Sequence, residues 1–134
     1  MMASSSFYSA LSIAAGGAIG AVSRFAAANA VTRWLGPTAS AFPFATLAVN
    51  VLGSFLMGML AGWAARHGVQ SENWQLFLSV GLLGGFTTFS TFSLELIALV
   101  ERGAPLLAAA YAAVSLVAGV GALWLALHFM RSPT

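Results

Sequence analysis

Cysteine and aspartate are both absent from this 134-residue chain, every basic charge is an arginine, and only Glu72, Glu95 and Glu101 are acidic. Without cysteine there is no disulfide, thiol nucleophile or thiolate metal site, and redox chemistry leaves the compartment open. Without aspartate, and with His67 in an expected loop and His128 near the end of the last helix, no third group completes a triad or metal set. An enzyme is therefore not expected, and no nucleotide-binding motif is present. The five arginines, Arg24, Arg33, Arg66, Arg102 and Arg131, are spread singly, so the formal charge of +2 reflects scarce acids and offers no basic patch for nucleic acid.

Hydrocarbon takes the place of the missing charge. The chain is 60% hydrophobic and 6% charged, whereas an average soluble domain carries roughly 25% charged residues. This composition is that of an all-α membrane protein. At about 20 residues per crossing, the length holds four transmembrane helices with short connections, one domain over residues 1–134. The apolar runs cover about residues 7–31, 42–65, 74–100 and 105–130. They are separated by "TRWLGPT", "RHGVQSEN" and "ERGAP", and Arg131 with "SPT" follows the last. The opening "MMASSSFYSALS" lacks the positive start of a secretory signal, so the first run is expected to be a retained span. Short connections make neighbouring helices antiparallel. Trp34, Trp63, Trp74 and Trp124 lie at or near span ends, as an aromatic belt requires.

Orientation is not fixed by charge. Arg33 and Arg102 flank one face, while Arg66 and Arg131 flank the other together with the terminal amine, so the arginine bias that normally sets topology nearly vanishes. Molecules inserting both ways would pair about an axis in the membrane plane, forming an antiparallel, dual-topology homodimer. The pairs Gly16/Gly20, Gly58/Gly62 and Gly81/Gly85 allow close helix approach, within one subunit or between two.

Polar residues from four helices fall at similar expected depth. Arg24, Asn50, Glu95, Tyr111 and Ser115 each lie roughly 8–15 Å inside the same membrane face at about 1.5 Å rise per residue. Singly, these residues have ordinary explanations. Arg24 and Glu95 can pair or snorkel, Tyr111 can anchor at the interface, and Ser115 can bond back to its own helix. Asn50 is harder to place, because hydrocarbon satisfies none of its amide positions. Together they suggest a polar path reaching inward.

The segment "GGFTTFSTFSLE", residues 84–95, falls where the third helix crosses the bilayer centre. Glycines from Gly81 to Gly85, followed by Thr87, Thr88, Ser90 and Thr91, weaken a helix and compete for its backbone groups, so this helix is expected to be broken near its middle. Open backbone at that depth must be buried in protein or line a wet cavity, and freed carbonyls can hold a cation. Phe89 and Phe92, three residues apart, share a helix face, where the electron-poor ring edges can approach an anion.

"GGFTTFSTFSLE" closely resembles the signature of the Fluc (CrcB-type) fluoride channels, and "LAVNVLGSFLMG" resembles their asparagine-bearing helix. Length, four spans, balanced arginines and "ERG" after the third helix agree with it. The resemblance implies passive fluoride efflux across the cytoplasmic membrane of a prokaryotic cell through two antiparallel pores of a homodimer, with a structural Na⁺ at the dimer interface. By position, Gly84 and Thr87 would offer Na⁺ their carbonyls. Asn50, Phe89 and Phe92 would line the fluoride pathway. Ser90, Thr91, Ser115, Tyr111 and Glu95 would be further pathway groups, with Arg24 toward the vestibule. Two other readings use the same residues: a small proton-coupled multidrug exporter built on Glu95, although that class carries its glutamate in the first helix, and a non-transporting membrane scaffold held by the small-residue stripes.

Overall fold

The computed structural model describes residues 2–68 and 71–131, with side chains from residue 6 onward. It is built from helices throughout. Helix α1 spans Met2–Leu35, a 3-10 turn covers Gly36–Ser40, and α2 spans Phe44–His67. The third crossing is composite: α3 (Glu72–Gln75) runs into a π-helical segment, Leu76–Leu83, and a single turn, α4 (Gly84–Phe86). After an interruption at Thr87 and Thr88 it resumes as α5 (Phe89–Glu101), and α6 (Pro105–Arg131) completes the chain. Four helical runs, Ser6–Ser40, Phe44–His67, Glu72–Glu101 and Pro105–Arg131, are long and apolar enough to cross a membrane. Val69 and Gln70 of the expected polar connection and the expected stop at Ser132–Thr134 lie outside the described residues.

Local chemistry sets the ends. Gly36, Gly68 and Gly103 take positive φ (57°, 75° and 78°), the left-handed conformation that closes a helix at little cost only for glycine. Pro105, lacking an N–H, opens α6, where that donor would be unused anyway. Ser71 caps α3 by accepting a hydrogen bond from Trp74 N at 3.1 Å. Helix α1 runs four residues past the expected boundary at residue 31, carrying Arg33 and Trp34 within it.

Lipid gives no hydrophobic drive between helices, so close backbone approach and interhelical hydrogen bonds hold the bundle. The glycine pairs expected at contacts all work within this chain. A Cβ at Gly16 would strike the Phe77 carbonyl oxygen, and one at Gly20 the Leu82 carbonyl oxygen. From the other side, a Cβ at Gly81 or Gly85 would stand 2.8 Å from Ile13 O or 2.7 Å from Gly17 O. Helix α1 and the first half of the third crossing thus meet backbone on backbone. On the opposite seam Gly58 faces Leu123 O, and Gly62 faces Met130 and Leu127 of α6. Since Gly58 pairs with Leu123 and Gly62 with Leu127, α2 and α6 run parallel, as alternation of four crossings requires.

A small cluster of Leu99, Ala108 and Tyr111, with Phe42, Leu47, Phe92 and Leu96 around it, binds α5 to α6 and the start of α2. Most large apolar side chains, including Phe25, Leu94, Leu106 and Val117, point away from the chain, as those of a lipid-embedded subunit must.

Candidate functional site

The site is built around the interruption. Thr87 (φ −81°, ψ 157°) and Thr88 (φ −147°, ψ 117°) are extended between two helical turns. Thr88 N–H, which in a continuous helix would bond Gly84 O, instead donates to Asn50 Oδ1 at 2.8 Å. Asn50 Nδ2 donates back to Thr88 O at 3.0 Å. This reciprocal pair fixes the amide's orientation, because an N–H must face oxygen and a carbonyl must face NH₂. The next donor is diverted too: Thr91 N–H bonds Thr88 Oγ1 at 3.2 Å, capping α5. Gly84 and Thr87 therefore lose the amide donors a regular helix would give their carbonyls. The Thr87 carbonyl accepts from Arg24 Nη1 at 3.3 Å. Beneath the break lies Gly53, where any Cβ would collide with the Thr87 methyl, so only glycine lets the loosened strand settle on α2.

The glycines do not themselves break the helix. Gly84 remains helical, and the extended residues are the two threonines, whose displaced backbone groups find side-chain partners. Gly81 and Gly85 serve the approach of α1 instead.

Beside the break opens a largely apolar cleft of about 320 Å³. Asn50 and Ser54 of α2, Thr87 and Thr88, Phe89 and Phe92 of α5, and Ala112, Ser115, Leu116 and Gly119 of α6 form its walls. Polar hydrogens survive there. Asn50 uses one amide N–H on Thr88 and keeps the other, and Ser115 Oγ is buried with no partner among the described residues. The Phe89 and Phe92 rings lie 5.8 Å apart at 40°, with Phe89 79% exposed on the chain's surface. The N-terminus of α5 begins at this wall, adding the positive end of a 13-residue helix. Donors, ring edges and a helix N-terminus in apolar surroundings make a place for a small anion.

Glu95 lies about two turns further along α5, roughly 10 Å from the break. Thr46 Oγ1 and Tyr111 OH each donate to one of its carboxylate oxygens, both at 2.7 Å. Tyr111 is fully buried and its ring lies 5.0 Å from that of Phe92, which thus touches both clusters. Arg24 and Glu95, for which pairing was one expectation, take different partners. The polar residues form two linked groups, Arg24 and Asn50 at the break and Glu95 with Tyr111 one to two turns away. Ser115 does not bond back to its helix. Ser90 and Thr91 are exposed and hydrogen-bonded to Thr88 Oγ1 at 3.4 and 3.0 Å, beside the cleft and outside its lining.

Two residues were not singled out by sequence, Thr46 and Ser54, and Thr88 was expected to weaken the helix but not to be clasped by Asn50. A signal existed, since Thr46, Asn50 and Ser54 recur every four residues on α2, the spacing of one helix face.

Known proteins carry the same pattern. A family model described as CrcB-like protein, Camphor Resistance (CrcB), matches residues 11–127. A protein of Novosphingobium aromaticivorans, named fluoride-specific ion channel FluC, is 58% identical over 119 residues, covering 89% of this chain and 93% of that one. Equally named proteins of Erythrobacter litoralis and Rhodospirillum centenum are 50% and 49% identical over 127 and 122 residues, covering 92% and 91% of this chain and 93% and 94% of theirs. With the match running through all four crossings and the break, the chain belongs to the CrcB family of multi-pass membrane proteins.

Proposed function

We propose that the chain is a fluoride-selective channel, giving passive fluoride efflux across the cytoplasmic membrane of a bacterium and so protecting the cell from fluoride. One observation carries this reading: half or more of the aligned residues are identical in two relatives named fluoride-specific channels, and this chain's broken third crossing lines a cleft with donors that have no partner among the described residues. Fluoride is small and strongly hydrated, so a selective path replaces its water with close-set donors yet releases it. Asn50, with its second N–H, and the edges of Phe89 and Phe92 are the first groups on that path. Ser115 adds a hydroxyl that has no partner among the described residues. Tyr111 and Glu95 continue the polar track, Ser90 and Thr91 hold the cap at its side, and Arg24 draws the anion toward the break.

The working unit in this reading is an antiparallel, dual-topology homodimer with two pores. Nearly balanced arginines and the outward-facing apolar surface support it. In this reading a structural Na⁺ would take the carbonyls of Gly84 and Thr87, both deprived of helical donors, with two copies supplying four oxygens and Na⁺ sharing the Thr87 oxygen with Arg24 Nη1. Such an ion would offset the dipoles of the loosened backbone where two copies meet. The exporter reading needs a carboxylate open to exchange, yet both oxygens of Glu95 already accept hydroxyl hydrogens.

The test is fluoride efflux from liposomes holding the purified protein, with chloride as the control ion. Fluoride leaving faster than from empty vesicles while chloride stays is the expected result; equal leakage with and without protein overturns the reading.

A further inference from the structure

Helices α2 and α6 lie in one parallel register from end to end. Gly62 meets Leu127, Gly58 meets Leu123, and the Cβ position of Gly119 lies 3.6 Å from Ser54 Oγ. The same register sets Asn50 level with Ser115 and Thr46 level with Tyr111. Two facing rails result, with Thr46, Asn50 and Ser54 on α2 opposite Tyr111, Ser115 and Gly119 on α6 and a step of about 6 Å between turns.

Each rung has a different use. Thr46 and Tyr111 are spent on Glu95. Asn50 is half spent on Thr88, while Ser115 Oγ beside it has no partner among the described residues. Ser54 stands one turn further on, lining the cleft opposite a glycine that leaves room in front of its hydroxyl. Serine and threonine in a helix ordinarily turn back to the carbonyl four residues earlier, as Thr32, Ser79 and Ser93 do here at 2.9, 2.7 and 2.9 Å. Ser54 and Ser115 make no such bond among the described residues, so two hydroxyl hydrogens remain for something that enters the cleft.

The geometry points to Ser54 as a further fluoride-binding residue, forming with Ser115 and the free Asn50 N–H a dehydration site between the two rails. The assignment rests on the channel reading above and extends it to a residue on the next turn of α2. Three donors from two helices surround a small anion more closely than any one of them, and the Gly119 gap sets the width available. Chloride, wider and less demanding of donors, gains less from the same hydroxyls.

The test is the dependence of liposomal efflux on internal fluoride concentration for wild type and Ser54→Ala. Losing one donor to a charged ligand should raise the half-saturating fluoride concentration about tenfold. A loss confined to helix packing would change the number of working channels and leave that concentration in place. A Ser54→Ala value within about twofold of wild type overturns the assignment, whatever the maximal rate. If Ser54→Ala yields no folded protein, Gly119→Ala, favourable to the helix, puts a methyl group before the same hydroxyl and should shift the concentration in the same direction. No shift in that variant overturns the assignment as well. Wild type passing no fluoride would instead defeat the channel reading, so the two failures are distinguishable.

Discussion

Asn50 and Thr88 form a closed two-bond ring, amide oxygen to backbone N–H at 2.8 Å and amide NH₂ to backbone carbonyl at 3.0 Å. One side chain therefore stands in for a missing turn of helix. Asn50→Asp keeps the first bond and sets a second oxygen against the Thr88 carbonyl, placing negative charge on the anion's route. Fluoride efflux should fall at least tenfold, roughly the effect of one lost charge-assisted bond. Unchanged efflux in liposomes would remove Asn50 from that route.

The carboxylate of Glu95 is held by two hydroxyls, Thr46 Oγ1 and Tyr111 OH, one on each oxygen. Tyr111→Phe or Thr46→Val should each cost about 1–3 kcal/mol by leaving one buried oxygen without a donor. The double variant should cost less than the sum, because both act on one carboxylate. Glu95→Gln should be milder, since an amide can still accept from one hydroxyl and donate to the other. Denaturant titration in detergent micelles measures all four; full additivity would contradict a shared partner.

Two glycine sites one turn apart on α1 separate close packing from composition. Gly20→Ala would drive a methyl into the Leu82 carbonyl and should destabilise the fold by about 1–3 kcal/mol. Gly17→Ala meets only Gly81 O, at 4.0 Å, and should be tolerated. Equal thermal stability of the two variants would refute backbone contact along this seam.

Dual insertion and the sodium have their own readouts. With no native cysteine, Thr38→Cys in the exposed 3-10 turn can be labelled from either side of a vesicle, and about half the molecules should react from each. A single reactive side counts against the antiparallel pair. Replacing Na⁺ by a bulky organic cation should weaken the dimer and slow fluoride efflux; a dimer equally stable without Na⁺ would contradict the carbonyl site at Gly84 and Thr87.

Much of this architecture is legible in the sequence because lipid imposes a blunt rule: about 20 apolar residues per crossing, ended by glycine, proline or arginine. The break near the middle of the third crossing was legible, but the partner that stabilises it was not. The sequence named the glycines from Gly81 to Gly85 and the threonines after them together; the threonines are the extended residues, with Asn50 and the Thr88 hydroxyl supplying replacement bonds. Such replacement depends on a partner 38 residues away, which no local propensity records. Glu95 is similar: the sequence marks it as an acid within the third crossing, but its hydroxyl partners come from α2 and α6. Thr46, Asn50 and Ser54 recur at one-turn spacing, as do Tyr111, Ser115 and Gly119, and that shared rhythm is the clue a single-residue reading overlooks.

Peptide planes of α1 and of the π-helical stretch press together with no side chain cushioning them. The near arm of the interrupted crossing is therefore riveted, and the far arm is moored by a carboxylate tied to two neighbouring helices. With both arms fixed in this way, the cleft beside the break is walled by anchored elements on either side.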